Sequence, residues 1–167
     1  MSIVYRPSRA SDGKEMWRLL EEIGTLERNT GYFYVLFACE FHRSCVVAEK
    51  DGRMIGFVVG FRPPERPGSV FVWQVGVSPK ARGQGVASKL LKALLEQTRA
   101  TVLEATVSPD NLASRALFQS LAQKMEVTCT VEPYFREHHF YHPHEPEELF
   151  SIGPLQPSAL PTSPTLA

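Results

Sequence analysis

The hydrophobic positions change period along the chain, and each change marks an element. "SIVYRP" is rich in strand formers and closes at Pro7. Asp12 with Glu15 three residues later suits a helix start, after which Met16, Trp17, Leu19, Leu20 and Ile23 recur at helical spacing until Gly24. "NTGYFYVLFACEF" is apolar almost throughout and predicts a second, largely buried helix. "SCVVAEK" and "MIGFVVGF" flank Asp51-Gly52, a pair that supplies the positive φ angles of a tight hairpin turn. "PPERPGS" reads as a loop and "VFVWQVGV" as a buried strand. A glycine-rich turn, a helix through "SKLLKALLEQT" and a strand "VLEATVS" follow. Pro109, Asp110 and Asn111 punctuate before a third strong helix, "ASRALFQSLAQKM". "CTVEPYF" reads as a last strand, and "EELFSIG" ends the fold.

This order, with antiparallel strands first and a βαβ unit after them, predicts an α/β protein with a mixed twisted sheet and helices on both faces. Beyond Gly153 the chain is proline- and serine-rich and too polar to bury a core. Residues 1–154 are therefore expected to form one domain and residues 155–167 a disordered tail. The 167 residues are 43% hydrophobic and 22% charged, ordinary values for a single globular domain. Zero formal net charge leaves no basic field to attract nucleic acid or an anionic membrane. No apolar run is long enough to span a bilayer, and "MSIVYRPSRASDGKE" has no secretory h-region. The cysteines, Cys39, Cys45 and Cys129, form no CxxC and no disulfide framework, which points to a reducing, cytoplasmic setting.

The candidate chemistry begins at "VSPKARGQGVAS", Val77 to Ser88. A strand stops at a proline, and a turn carrying Arg82 and two glycines feeds a helix start. Backbone N–H groups at such a helix start carry partial positive charge, and glycines let an anion approach them closely. Val86 and Ala87 after Gly85 exclude a Walker A loop, and the missing third glycine weighs against a dinucleotide-binding fingerprint. The remaining pattern, Arg82-x-x-Gly85-x-Ala87 directly after a strand, resembles the acetyl-CoA pyrophosphate loop of the GNAT acyltransferases. "SPDNLASRALFQSL" resembles the second signature of that family, and "VWQVGVSP" its fourth strand. The resemblance implies a GNAT fold in which two splayed strands bind acetyl-CoA. It assigns Arg82, Gly83, Gln84, Gly85, Val86 and Ala87 to the pyrophosphate, Asn111 to the pantetheine arm, and the backbone of Val75 and Val77 to pantetheine and the thioester.

A second resemblance concerns the acyl acceptor. "LERNTGYFYVLFACEFHRSCVVAE", "GFRPPERPGSVFVWQVGVSPKARGQG", "LEATVSPDNLASRALFQSLA" and "HEPEELFSIGP" occur in the order seen in the L-2,4-diaminobutyrate acetyltransferases of ectoine biosynthesis. That resemblance implies acetylation of the γ-amine of diaminobutyrate, and by extension osmoadaptation, in a cytoplasmic homodimer to which the segment "YVLFACEF" contributes. It places Glu27, Tyr32, Trp73, His144 and Glu147 at the acceptor site. Carboxylates and aromatic faces are what a dication requires. The chain departs from the family at "LERNT", where Glu27 and Thr30 stand for the usual aspartate and serine.

An alkylammonium, with a pKa near ~10, must lose a proton before it attacks a thioester directly. Glu27, Glu147 and His144 are the candidate acceptors of that proton. Many GNAT enzymes carry a tyrosine seven residues after the asparagine; here it is Phe118, so thiolate protonation falls to another tyrosine such as Tyr134, or to solvent. His138, His139, His142 and His144 lie in "EHHFYHPH", but prolines interrupt the segment and no ligand set has metal-site spacing, so no metal is expected. Two other readings share the fold: acetylation of another small amine or of a protein N-terminus, and a non-catalytic acyl-CoA-binding module.

Overall fold

The computed structural model of the chain describes residues 2–156. Seven strands and four helices alternate in the order β1 (Val4–Pro7), α1 (Asp12–Ile23), α2 (Gly31–Glu40), β2 (Cys45–Lys50), β3 (Arg53–Phe61), β4 (Ser69–Val77), α3 (Val86–Thr98), β5 (Val102–Val107), α4 (Leu112–Met125), β6 (Cys129–Phe135) and β7 (Glu147–Ile152). They form one sheet in the order β1-β2-β3-β4-β5-β7-β6, antiparallel except where β4 meets β5. The parallel pair is joined through α3, since parallel neighbours need a crossover. The expected mixed sheet with helices on both faces is present, and the C-terminal region supplies a β6–β7 pair instead of a single last strand.

Strand alternation divides the apolar residues between two cores. Val46, Ala48, Val58, Leu103 and Phe150 pack with Leu90, Leu94 and Leu121 on the α3–α4 side. Val47, Phe57 and Val59 pack with Met16, Leu20 and Tyr34 on the α1–α2 side. Each central strand is therefore buried on both faces, which explains its near-continuous apolar run.

Two expectations are corrected. α2 fully buries only Tyr34 and Ala38; Phe33 and Phe37 are partly buried against the same core, and Tyr32 and Val35 are exposed. α1 starts at Asp12 as expected; its carboxylate is paired bidentately with Arg6 at 2.8 Å on both oxygens and accepts the Arg9 N–H. The ordered domain also extends past residue 154. Leu155 lies in the α3–α4 core, and its N–H donates to Thr101 O at 2.7 Å. One leucine with a waiting core slot outweighs the proline-rich composition around it. The rest of the expected tail, residues 157–167, lies outside the described residues.

Candidate active site

β4 and β5 pair only at their first residues, Ser69, Val70 and Phe71 with Val102, Leu103 and Glu104. Beyond that point β4 stays on β3 and β5 on β7, so the sheet splits. A cavity of about 720 Å³ occupies the split. Val75, Ala105, Val107 and Phe118 line it from the α3–α4 side, and Trp73, Gln74, Thr106 and Glu147 from the opposite face. The cavity thus passes through the sheet, with residues of both faces in its lining.

A β-bulge shapes the β4 wall. Val59 pairs with Gln74 and Gly60 with Val72, which leaves Trp73 as the extra residue. Val70 and Val72 before the bulge, and Val75 and Val77 after it, all face the α3–α4 core. The bulge corrects the parity of the strand and places two consecutive side chains, Trp73 and Gln74, on the other face. Trp73 packs against Phe33 and Phe37 of α2, with centroids at 5.4 and 6.2 Å, yet stays 51% exposed. The expectation of a wholly buried strand fails at this residue. The backbone continues the pattern: Ser78 N–H donates to Ile55 O at 2.8 Å. By alternation Gly76 and Gln74 also address β3, while the amides of Val75 and Val77 face the split.

The α1–α2 loop is tied to this wall. Gln74 accepts from the buried Tyr34 hydroxyl at 2.9 Å and donates to Glu27 O at 2.7 Å. The Tyr34 oxygen accepts from the backbone N–H and side-chain amide of Asn29, both at 3.2 Å. Glu27 is thereby held at the cavity wall with its side chain in solvent. Neither Tyr34 nor Gln74 stands out in the sequence, since each reads as core or strand filler.

The β6–β7 side closes the cavity. His144 stacks on Phe140 at 3.9 Å and 14°, and its Nδ1 lies 2.6 Å from Glu145 O. A carbonyl can only accept, so Nδ1 is the donor in this contact. Glu147 is half-buried at the start of β7, beside Thr106. Burial pushes its carboxyl above the usual range, and Glu145 and Glu27 add to the rise, against the lowering influence of the Thr106 hydroxyl and the neighbouring His144.

Glu27, Trp73, Val75, Asn111, His144 and Glu147 all line the cavity. Tyr32 does not; it is 74% exposed on α2. Asn111 caps α4 by accepting the Ser114 N–H at 3.1 Å, which commits its carbonyl and leaves the amide nitrogen as the polar atom for a ligand. Arg82, Gly83, Gln84 and Gly85 form an exposed turn just past β4, outside the cavity lining. Gly83 and Gly85 have φ of 74° and 71°, with no heavy atom within 4 Å of where a Cβ would stand. The turn is therefore open to close backbone approach, as an anion cradle requires. Val86 is buried beneath the turn, so only its backbone, with that of Ala87, faces a ligand there. Phe118 packs on Phe150 at 6.1 Å, and Tyr134 lines the cavity from β6, where it is the bulged residue opposite β7.

Among the described residues no group of three or more histidine, cysteine or acidic side chains is placed to hold a metal. His138 and His139 pack on each other and His142 on Tyr141. Burial pushes the Cys45 thiol up to about 11, so it carries almost no thiolate at neutral pH. No helix among the described residues is long and apolar enough to cross a membrane.

The pattern of the acetyltransferase (GNAT) family matches residues 13–122. The chain is 46% identical over 158 residues to the L-2,4-diaminobutyric acid acetyltransferase of Marinococcus halophilus, covering 92% of this chain and 91% of that protein. It is 41% identical over 155 residues to the enzyme of the same name from Nocardia farcinica, covering 91% and 80%. The diaminobutyrate acetyltransferase EctA from Paenibacillus lautus, solved with L-2,4-diaminobutyric acid and coenzyme A, superposes with a TM-score of 0.84 at 38% identity, covering 92% of this chain and 95% of that one. The ribosomal-protein-S18-alanine N-acetyltransferase of Escherichia coli, at 16% identity and a TM-score of 0.69, shares the fold alone. A split sheet, a through-sheet cavity and an open glycine turn after β4, in a chain with these relatives, make it a member of the GNAT acetyltransferases, within the L-2,4-diaminobutyric acid acetyltransferase family.

Proposed function

We propose that the chain transfers the acetyl group of acetyl-CoA to the γ-amine of L-2,4-diaminobutyrate, as a step of ectoine biosynthesis, in the cytoplasm and as a homodimer. The observation that carries this reading is the cavity through the split sheet, acidic and aromatic at one mouth and lined by β4 backbone and α4 at the other. Acetyl-CoA supplies an activated thioester carbonyl. The turn from Arg82 to Ala87 binds its pyrophosphate, and Asn111 with the split-facing backbone of β4 binds the pantetheine arm. Glu27, Trp73 and His144 receive the amino acid. Glu147 accepts the ammonium proton, because burial has brought its carboxyl closer to the working pH. The free amine attacks the thioester carbon; the new C–N bond forms, the C–S bond breaks, and the thiolate takes a proton from solvent or from Tyr134. The amides of Val75 and Val77 polarise the carbonyl during the attack. The exposed Val35 and Phe41 of the α2 region support the homodimer. Tyr32, outside the cavity, has no contact with the acceptor in this scheme.

The test is coenzyme A release from acetyl-CoA with 2,4-diaminobutyrate, ornithine, lysine, spermidine and a short peptide, with NMR of the product. Diaminobutyrate should be preferred and acetylated on the γ nitrogen. Preference for another amine would overturn the substrate, and coenzyme A binding without turnover would favour a non-catalytic module.

A further inference from the structure

Arg66, in the β3–β4 connection, takes no part in the scheme above, yet its side chain lines the cavity. Its backbone is held at both ends, donating to Pro63 O at 3.0 Å and accepting from Ser69 N–H at 2.9 Å. Its Nε faces both oxygens of Glu104, at 3.0 and 2.9 Å. Glu104 is 4% exposed, also accepts from the Ser69 hydroxyl at 3.2 Å, and sits on the last paired residue of β5 before the split. A guanidinium has five N–H bonds, and Glu104 uses the one on Nε. The Tyr134 hydroxyl lies close to this guanidinium. The terminal nitrogens are thus oriented at the apex of the split by a buried carboxylate.

The charge pattern of the lining says what such a group is for. Glu27, Glu65 and Glu147 are acidic, and Arg66 is the only lysine or arginine among the described residues lining the cavity. An acceptor with two ammonium groups and one carboxylate needs acids for the former and a fixed cation for the latter. The spacing agrees. Glu104 and Thr106 lie on one face of β5, about 7 Å apart at two residues of strand rise. Arg66 is anchored at Glu104, and Glu147 lies beside Thr106 at the cavity wall. A carboxylate on the first and an amine presented to the second are separated by roughly the length of a short diamino acid.

We propose that Arg66, oriented by Glu104 and Ser69, binds the α-carboxylate of the acceptor and so selects amino-acid diamines over plain diamines. This rests on the diaminobutyrate reading. The guanidinium is a specificity determinant, and Glu104 is a positioning residue acting through it.

The experiment compares kcat/KM for 2,4-diaminobutyrate with that for 1,3-diaminopropane, the same diamine without the carboxylate. The unsubstituted enzyme should favour diaminobutyrate by on the order of 10²-fold or more. Because Arg66→Gln strands a buried carboxylate, it is also made with Glu104→Gln, which keeps the pocket neutral. In the double variant the preference should collapse to about tenfold or less through loss on diaminobutyrate alone, with the KM for acetyl-CoA and turnover of diaminopropane retained. A preference that survives in both variants overturns the assignment. An unsubstituted enzyme that acetylates ornithine or a peptide but not diaminobutyrate sinks the parent reading and the anchor together.

Discussion

At the scale of single residues the site is a set of groups whose surroundings change their chemistry. Glu147 shows this best: an acidic run reads as a solvated face, but β7 turns this one carboxylate inward beside Thr106. Its raised pKa means that the basic form is lost as pH falls through a value above the ordinary carboxylate range. The acid limb of the rate profile should therefore lie above the ~4.3 of free glutamate. Glu147→Gln should abolish that limb and lower kcat by about 10²-fold or more, with coenzyme A affinity retained; an unchanged profile would pass the role to Glu27 or His144. Trp73, His144 and Glu147 were legible because family motifs mark them. Gln74, Tyr34 and Arg66 were not, because a buried hydroxyl, a strand amide and a loop arginine acquire meaning only from the partner opposite.

At the scale of elements, the geometry that matters is the β4 bulge. Alternation along "VFVWQVGV" predicts a regular strand, and nothing local announces an extra residue at Trp73. The bulge depends on β3: a Cβ at Gly60 would come within 2.5 Å of Phe71 O, and Gly60 O already accepts from the Ser44 hydroxyl at 2.8 Å. Gly60→Ala should thus force the two strands apart where Trp73 is presented. The expected outcome is a loss of about 1–3 kcal/mol in chemical denaturation. It should come with a higher KM for the amine and little change in that for acetyl-CoA, whose turn lies beyond the far end of β4. The glycine turn itself was readable in advance, because the φ angles at Gly83 and Gly85 are demanded locally.

For the whole molecule, one source of acid sensitivity lies where β1, α1 and β2 meet. Arg6 bonds Asp12 and Glu49, each at 2.8 Å, with the Asp12 side chain only 6% exposed. Burial acts to raise the Asp12 pKa, but the hydrogen bonds from Arg6 and Arg9 and their charges outweigh it and hold the carboxyl below the usual range. A depressed native pKa stabilises above the unfolded value of ~3.9 and loses that contribution as pH falls through the native value. Asp12→Asn should cost about 3 kcal/mol at pH 7. The gap between variant and parent in urea denaturation should shrink steadily below about pH 4; a gap independent of pH would remove Asp12 from the acid response.

The sequence by itself determined the element order, the mixed sheet and the glycine turn, because periodicity and turn residues act over a few neighbours, and its motifs carried the resemblance to the family. Only the tertiary structure decided the split between β4 and β5, the parity change at Trp73, the anchoring of Leu155 in the core and the gathering of Glu27, Arg66, Glu104, His144 and Glu147 around one cavity. Those features depend on which strand lies beside which, and on side chains that lie up to 120 positions apart in the sequence meeting across the sheet. Local patterns carry no record of such neighbours, since burial and opposing charge arise only once the chain has closed on itself.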